Sequence, residues 1–299
     1  MGRRPASPVG AEQRFAILLL APAVLILLIT TTFPLGYLVW DSFHSINLAM
    51  PFLNGFVGLD NYVQMLNDGD FWHALRLTAI YTLGTVALQL IIGLGLALLV
   101  MQIPAGQWLF RTVAILPIVL APVVVGLFWR TLMLSPNFGI VDFAAKALGF
   151  AEINWLGAPV PALISVIAIH TWQWTPFAFL VLLASLASLP PDVLEAARID
   201  RANALQRFIH ITLPLIRPAI VIVVIMRAMI ALSAFAAIFA ATGGGPGTAT
   251  ETLNLYAYRT SFVKLDFGYG SALAVGLLVI TLVVSSVLFV MRTARVRQP

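Results

Sequence analysis

The sequence predicts an all-α, polytopic membrane protein with six transmembrane helices. Hydrophobic residues make up 61% of the 299 residues and charged residues only 10%, whereas a soluble domain carries about 25% charged residues. Because so few charges cannot cover a water-soluble surface, lipid must surround much of the chain. The charges also fall between long apolar runs rather than in one patch. The net charge of +5 therefore indicates membrane topology and not a nucleic-acid-binding surface.

Charge-free stretches place the six spans in order. The run over 15–40 follows Arg3, Arg4 and Arg14. It is longer than the roughly 7–15 apolar residues of a signal-peptide core, so we interpret it as a retained first span. The other spans are predicted at about 77–101, 110–133, 161–187, 218–241 and 267–291. A turn at 103–106 separates the second span from the third.

Basic residues predict the orientation. Because six is an even number, both termini lie on one side, and most of the 17 basic residues fall on that side. The positive-inside rule makes it the cytoplasm. The prediction is a cytoplasmic tail at 1–14, a transmembrane domain at 15–292 with a cytoplasmic loop at 188–217, and a cytoplasmic tail at 293–299. The basic residues on the opposite side are Arg76, Arg130, Lys146, Arg259 and Lys264.

The loop at 188–217 is predicted to form a short, amphipathic, charged helical pair at the cytoplasmic surface. Asp192 and Glu195 have the spacing of a capping box. Pro214 and Pro218 are expected to end the loop before the fifth span. Such a pair lies on the membrane or inserts into a partner. Apolar residues recur at helical spacing along one face, at Leu205, at Phe208, and at Ile209 or Thr212.

This loop resembles the segment by which permeases of ABC importers dock onto their ATPase. In that family it reads Glu-Ala-Ala, three residues, Gly, nine residues, Ile, one residue and Leu-Pro. This chain has every element except the Gly, with Glu195-Ala196-Ala197, Arg201, Ile211 and Leu213-Pro214. The resemblance implies that the loop couples the chain to an ATPase subunit through Glu195, Ala196, Ala197, Asp200, Arg201, Phe208, Leu213 and Pro214.

Arg201 stands where the family has the glycine of the bend between two short helices. A non-Gly residue costs about 1–2 kcal/mol if it keeps a left-handed conformation. The sequence leaves two alternatives. Either the bend takes another geometry, or Arg201 makes an additional contact with the ATPase.

Other segments resemble permeases of the carbohydrate-uptake group. They are 56–62, 71–78, Phe110-Arg111 with Leu116-Pro117, 235–246 and Tyr256-Ala257-Tyr258, with Ala236 in place of the family's Asp. The resemblance implies the type I ABC importer permease fold, a bacterial inner-membrane location and a sugar or sugar-derivative cargo. It also implies a second permease, two ATPase subunits and an extracytoplasmic binding protein. ATP and Mg²⁺ would be used by the ATPase, so this chain is expected to be no enzyme and to bind no cofactor.

Rival functions lack the residues that they need. A secondary transporter requires intramembrane carboxylates, and none of the 12 acids falls in a predicted span. Four scattered histidines and no cysteine form neither a metal site nor a catalytic site. The glycine-rich segment 243–247 lacks the Gly-Lys-Ser/Thr of a phosphate loop. It is predicted to supply tight turns, with contact to the binding protein as an alternative.

Candidate substrate contacts lie in the third and fourth spans. Sugar sites combine aromatic faces with hydrogen-bonding side chains, which singles out Trp172, Gln173 and Trp174, and Trp129 near the end of the third span. Tryptophans at span ends are also typical interfacial anchors. His170 is expected to be hydrogen-bonded within the bundle.

Arg227 places a charge in the middle of the fifth span, where it is costly, so it is expected to face a cavity or a partner. One interpretation is that it bonds helix carbonyls or an acid of the second permease. The alternative keeps the same architecture with a non-carbohydrate or anionic cargo, such as a sulfonated or phosphorylated sugar or glycerol conjugate, an amino acid or a peptide. The missing intramembrane acid motivates the anionic version.

Overall fold

The computed structural model describes residues 8–103, 106–136 and 138–296. The predicted positions of Arg3, Arg4 and Arg297 lie outside these residues, as does part of the predicted turn at 103–106. Four helices in this part of the chain are each long and apolar enough to cross a membrane, as is the continuous helical segment Ala204–Leu232. The four are α1 (Pro8–Ser42), α3 (Gly69–Met101), α7 (Pro159–Ala187) and α13 (Phe267–Val296).

Shorter helices fill the rest. They are α2 (Asp60–Asn67), α4 (Gln107–Val119), α5 (Pro122–Phe128), α6 (Ile140–Ala147), α8 (Pro191–Ile199), α9 (Ala204–Arg207), α10 (Leu213–Leu232), α11 (Ala236–Thr242) and α12 (Leu253–Phe262). Single π-helical turns follow α5, at Trp129–Met133, and α9, at Phe208–Thr212. A 3-10 turn occupies Pro51–Leu53.

One compact unit combines the described residues up to Asn67 with 259–275. In it, α1 is followed by an antiparallel hairpin of β1 (His44–Ser45) and β2 (Gly55–Phe56). The Asn61 side chain donates to the carbonyls of Ser42 and His44, at 2.9 and 3.0 Å. The amide of Phe267 donates to the carbonyl of Ile46 at 2.8 Å. These bonds hold the hairpin against the first residues of α13.

The second compact unit, 68–258 with the rest of α13, contains the helices that carry the candidate site. Its core is formed by α3, α7 and α10, with α3 and α7 in the most extensive contact. A Cβ at Gly93 of α3 would lie 2.9 Å from Cβ of Ala178 on α7. In lipid there is little hydrophobic drive between helices, so small residues that allow close backbone approach stabilise such pairs.

The third span is not the single helix predicted at 110–133. It consists of α4 and α5, bent by 96° at Leu120 and Ala121. Pro122 begins α5, and the residue before a proline is driven to extended backbone, as seen at Ala121 with φ −60 and ψ 136. A hydrogen bond also stabilises the break, since the Gln173 side chain donates to the carbonyl of Leu120 at 3.0 Å.

The fifth span also departs from its predicted bounds of 218–241. Pro214 and Pro218 do not stop the loop, since the chain remains helical from Ala204 to Leu232. A π turn lies directly before α10, and such turns re-satisfy the carbonyls that a proline leaves free. The helix ends at Leu232, where the side chain of Asn254 donates to the carbonyl of Ser233 at 2.8 Å. The residues that follow form the separate helix α11.

Candidate functional site

The loop between the fourth and fifth spans contains a helix with a defined end. After α8, the amide of Ala202 donates to the carbonyl of Ala197 at 3.1 Å. This is the long bond of a Schellman motif, in which the residue after the C-cap takes a left-handed conformation. Arg201 occupies that position, with φ 57. Of the two sequence-based alternatives, a changed bend is therefore wrong, because the left-handed geometry is kept without glycine.

The second helix of the loop begins with its own cap. The side chain of Asn203 accepts from the amide of Gln206 at 2.8 Å, and the amide of Asn203 donates to the Gln206 side chain at 2.9 Å. This reciprocal pair is a capping box. The sequence-based assignment of that role to Asp192 is wrong, because α8 begins at Pro191 and Asp192 lies inside the helix. Proline suits the first helical position, where its missing N–H is not needed.

A third bond stiffens the bend. The Arg207 guanidinium donates to the carbonyl of Ala202 at 2.6 Å, which satisfies a backbone acceptor just after the left-handed residue. With the capping box and the Schellman bond, it fixes the angle between α8 and α9. The loop is therefore a preformed element rather than a flexible connection.

The surface of this loop mixes exposed charges with exposed apolar side chains. Glu195, Asp200 and Arg201 are exposed. So are Ile199, at 81%, and Leu205, at 66%. The remaining predicted coupling residues range from exposed (Ala196, Pro214) through half-buried (Phe208, Leu213) to buried (Ala197). Large apolar side chains left uncovered beside charges are typical of a protein-binding surface.

The loop is joined to the membrane interior without interruption. From α9 the chain continues as helix through the π turn into α10, which carries Arg227. Twenty helical residues rise about 30 Å. Arg207 and Arg227 therefore lie on one continuous helical segment.

Arg227 lies in a buried polar cluster formed with α3 and α7. It is 1% exposed. Its Nε donates to Oε1 of Gln89 at 2.8 Å, and its Nη2 lies 3.0 Å from Nε2 of His170. Its guanidinium carbon lies 4.4 Å from the centre of the Trp174 ring, a cation–π contact that suits a desolvated arginine. Gln89 also donates to the carbonyl of His170, at 3.3 Å.

These partners are neutral side chains of the same chain. A guanidinium only donates hydrogen bonds, so Nε2 of His170 must accept and the imidazole is neutral. Among the described residues, Arg227 bonds these side chains and not the helix carbonyls that were predicted. Bonding to an acid of a second permease stays a prediction, and the predicted bonding of His170 within the bundle is confirmed. Since Arg227 has partners inside the chain, the missing acid does not by itself require an anionic cargo. Within the described residues, Nη1 has no hydrogen-bond partner.

Sequence reasoning missed Gln89 and Tyr81. The Tyr81 ring packs edge-on against His170, with centroids 5.3 Å apart, and both missed residues are fully buried. One signal was available for Gln89. It is an amide in the middle of an otherwise apolar span, where an unpaired polar group is costly.

The structure divides the predicted substrate contacts among three places. Trp172 is 37% exposed and, with Thr171 and Thr175, lines a largely apolar cavity of about 690 Å³ among α3, α4 and α7. Trp129 packs edge-on against Trp172, with centroids 5.8 Å apart. Gln173 is buried at the break of the third span, and Trp174 covers Arg227.

The glycine-rich segment after α11 forms tight turns, as its composition predicted. Gly243, Gly244 and Gly247 have positive φ. Two hydroxyls, those of Thr242 and Thr250, are hydrogen-bonded at 2.7 Å across the segment. Nothing in its geometry forms a phosphate cradle of the kind that a nucleotide site needs.

Comparison with known proteins bears on both the loop and the cluster. The profile of the family described as "Binding-protein-dependent transport system inner membrane component" matches residues 89–295. This range includes the loop, Gln89, His170 and Arg227.

Two relatives are similar over most of their length. The sulfoquinovosyl glycerol transport system permease protein SmoG of Agrobacterium fabrum is 37% identical over 276 residues, covering 92% of this chain and 89% of that protein. The trehalose/maltose transport system permease protein MalF of Thermococcus litoralis is 33% identical over 288 residues, covering 96% of each.

The fold is that of a solved transporter subunit. A chain of the bacterial alginate ABC transporter, crystallised with a periplasmic protein bound to an alginate pentasaccharide, superposes with a TM-score of 0.81. The match covers 96% of this chain and 97% of that one at 22% identity. The predicted fold class, a helical membrane permease of the ABC importer type, is thereby confirmed.

Proposed function

The chain belongs to the family of binding-protein-dependent transport system inner membrane components, and on that premise we propose that it couples ATP hydrolysis to sugar import through the loop at 195–214. It would be one permease subunit of an ATP-driven importer. Its partners would be a second, homologous permease, two ATPase subunits and an extracytoplasmic binding protein. Both termini and the loop would lie in the cytoplasm.

The observation that carries this proposal is the preformed loop with an uncovered surface. Glu195, Ile199 and Leu205 present charge and apolar area together, and three sets of hydrogen bonds fix their geometry. A docking element that is ordered before binding loses less conformational entropy when its partner arrives. The ATPase groove is the partner that this surface fits, since the family motif lies on it.

The path of coupling follows from the continuity of the helix. Movement of the ATPase against α8 and α9 would shift α10 as a rigid lever. Arg227 is bonded to Gln89 on α3 and His170 on α7, so the shift would reach all three core helices at one point. The cluster would then connect the nucleotide state to the arrangement of the spans.

The cargo we propose is a sugar or sugar derivative. The relatives named above are permeases for sulfoquinovosyl glycerol and for trehalose and maltose. Trp172, which lines the cavity, gives a flat apolar face of the kind on which sugar rings stack. ATP and Mg²⁺ would be bound by the ATPase subunits, leaving this chain without a cofactor.

The test of coupling is Glu195→Lys in the complete transporter, reconstituted with its binding protein. Asp70→Lys is the control, because it makes the same kind of charge reversal at an exposed acid that the proposed topology places on the opposite side. Glu195→Lys is expected to abolish the stimulation of ATP hydrolysis by loaded binding protein, and uptake with it. Asp70→Lys should preserve both.

Two measurements test the coupling role and the cargo separately. Unchanged stimulated hydrolysis in Glu195→Lys would contradict the docking role of the loop. Uptake of radiolabelled maltose, trehalose and an amino acid mixture by the unmodified transporter tests the cargo separately. Transport of the amino acids alone would overturn the sugar assignment and leave the coupling result intact.

A further inference from the structure

The helix α6 exposes its apolar side and buries its acidic residue, the reverse of an amphipathic helix on the surface of a soluble protein. It lies between the third and fourth spans, in the chain segment 134–158. Ile140, Phe143, Ala144 and Ala147 recur at the spacing of one helical face, and all four are exposed. Phe143 is 74% exposed. The carboxylate of Asp142 points to the opposite side and is buried.

A charge pair lies within the helix. The Lys146 amine lies 2.8 Å from the Asp142 carboxylate and 4.0 Å from that of Glu152. The hydrogen bond to Asp142 is the main reason why the pKa of Lys146 lies above its usual value, so the amine remains charged. Asp142 is 2% exposed and Phe143 is 74% exposed, so the helix buries its acidic residue and exposes its aromatic one.

Residues flanking the helix extend the apolar face. Phe138 precedes it, and Leu148 and Phe150 follow it, each at least 60% exposed. The backbone is closely packed at the start of the helix, since a Cβ at Gly139 would lie 2.6 Å from the carbonyl oxygens of Met133 and Ser135. Four large apolar side chains are therefore exposed on the helix or directly beside it: Phe138, Phe143, Leu148 and Phe150.

The position of α6 identifies what covers it. The helix starts shortly after the third span ends at Met133 and lies before the fourth begins at Pro159. Leu132, Val160 and Ile164, at these ends of the two spans, are also exposed. The helix thus lies between two span ends that expose apolar side chains. Its own exposed face, formed by Ile140, Phe143, Ala144 and Ala147, is apolar throughout, as the lipid-facing side of an interfacial helix is.

We propose that α6 is an interfacial lipid anchor, lying in the plane of the membrane surface opposite the coupling loop with its exposed apolar face among the acyl chains. The helix α7, about 43 Å long at 1.5 Å per residue, separates the two surfaces. Lys146 and the exposed Arg130 would lie at the depth of the lipid phosphates, as basic side chains do beside interfacial helices. The anchor would hold the bent third span in place from outside the bundle.

The absence of cysteine from the sequence makes the test direct. Single-cysteine variants Phe143→Cys and Glu152→Cys are spin-labelled in the complete transporter, with the cysteines of its partner chains replaced by serine. The complex is reconstituted in phosphatidylcholine–phosphatidylglycerol vesicles. Accessibility to oxygen, which concentrates in lipid, is compared with accessibility to nickel-EDDA, which stays in water. Leu148→Cys serves as a second reporter if the Phe143 variant fails to assemble.

We expect the ratio of oxygen to nickel-EDDA accessibility to be several-fold higher at position 143, or at 148, than at the water-exposed control position 152. Equal ratios would place the helix in water and overturn the proposal. A label at 143 that is immobilised and shielded from both reagents would also overturn it, because a protein and not lipid would then cover α6.

Discussion

The contact between α3 and α7 can be tested with two glycines in the same helix. A Cβ at Gly93 would lie 2.9 Å from Cβ of Ala178 and 3.0 Å from the amide nitrogen of Phe179, whereas a Cβ at Gly95 meets nothing within 4 Å. Both alanine variants gain the same helix propensity, about 1 kcal/mol, which cancels in their comparison. The difference that remains is the cost of overpacking a close contact, about 1–3 kcal/mol.

This difference is large enough to measure. For a domain of 150–250 residues, 1 kcal/mol shifts Tm by about 2–4 °C, so Gly93→Ala should melt a few degrees to about 10 °C below Gly95→Ala. The assay heats the purified complex in detergent and follows the loss of the intact species by size-exclusion chromatography. Melting of the two variants within about 1 °C of each other would refute the reasoning, because the backbones of α3 and α7 could not then approach as closely as the structure has them.

Three further substitutions, at two positions, test the loop and the cluster. Arg201→Gly should retain the ATPase in the purified complex, and loss of the ATPase would contradict this. The variant should also stabilise the loop by up to about 1 kcal/mol, because relief of the left-handed strain exceeds the entropic cost of glycine. Gln89→Leu removes the hydrogen-bond acceptor of a buried guanidinium, which should lower the stability of the protein by about 1.5–3 kcal/mol. Gln89→Glu keeps an acceptor at this position and should melt at a higher temperature than the leucine variant. Equal melting of the two Gln89 variants would show that the bond to Arg227 contributes nothing.

The predicted loop shows how far sequence motifs reach. The spacing of Glu195, Arg201 and Pro214 placed the two helices and the bend correctly, because helix starts, ends and turns depend on neighbouring residues. The motif did not predict that the second helix continues into the fifth span. Prolines normally end helices, and the π turn that accommodates Pro214 leaves no recognisable mark in the sequence.

The buried cluster marks the limit of reasoning from local pattern. Arg227 was singled out because a charge in a span is costly wherever it lies, but its partner Gln89 is 138 residues away along the chain. No periodicity or spacing relates positions so far apart. Only the packing of α3, α7 and α10 decides which polar groups meet and which are left to face lipid.

The sequence by itself determined the membrane environment, the approximate spans and the two short helices of the loop at 188–217, since these follow from hydropathy, charge and short-range spacing. The tertiary structure decided the 96° break in the third span, the neutral surroundings of Arg227 and the outward face of α6. Pro122 favours the break locally, but contacts between distant segments, such as Gln173 with Leu120, stabilise it, and burial decides which side of α6 faces outward. The free energy of such contacts depends on three-dimensional proximity, which the order of residues along one helix does not contain.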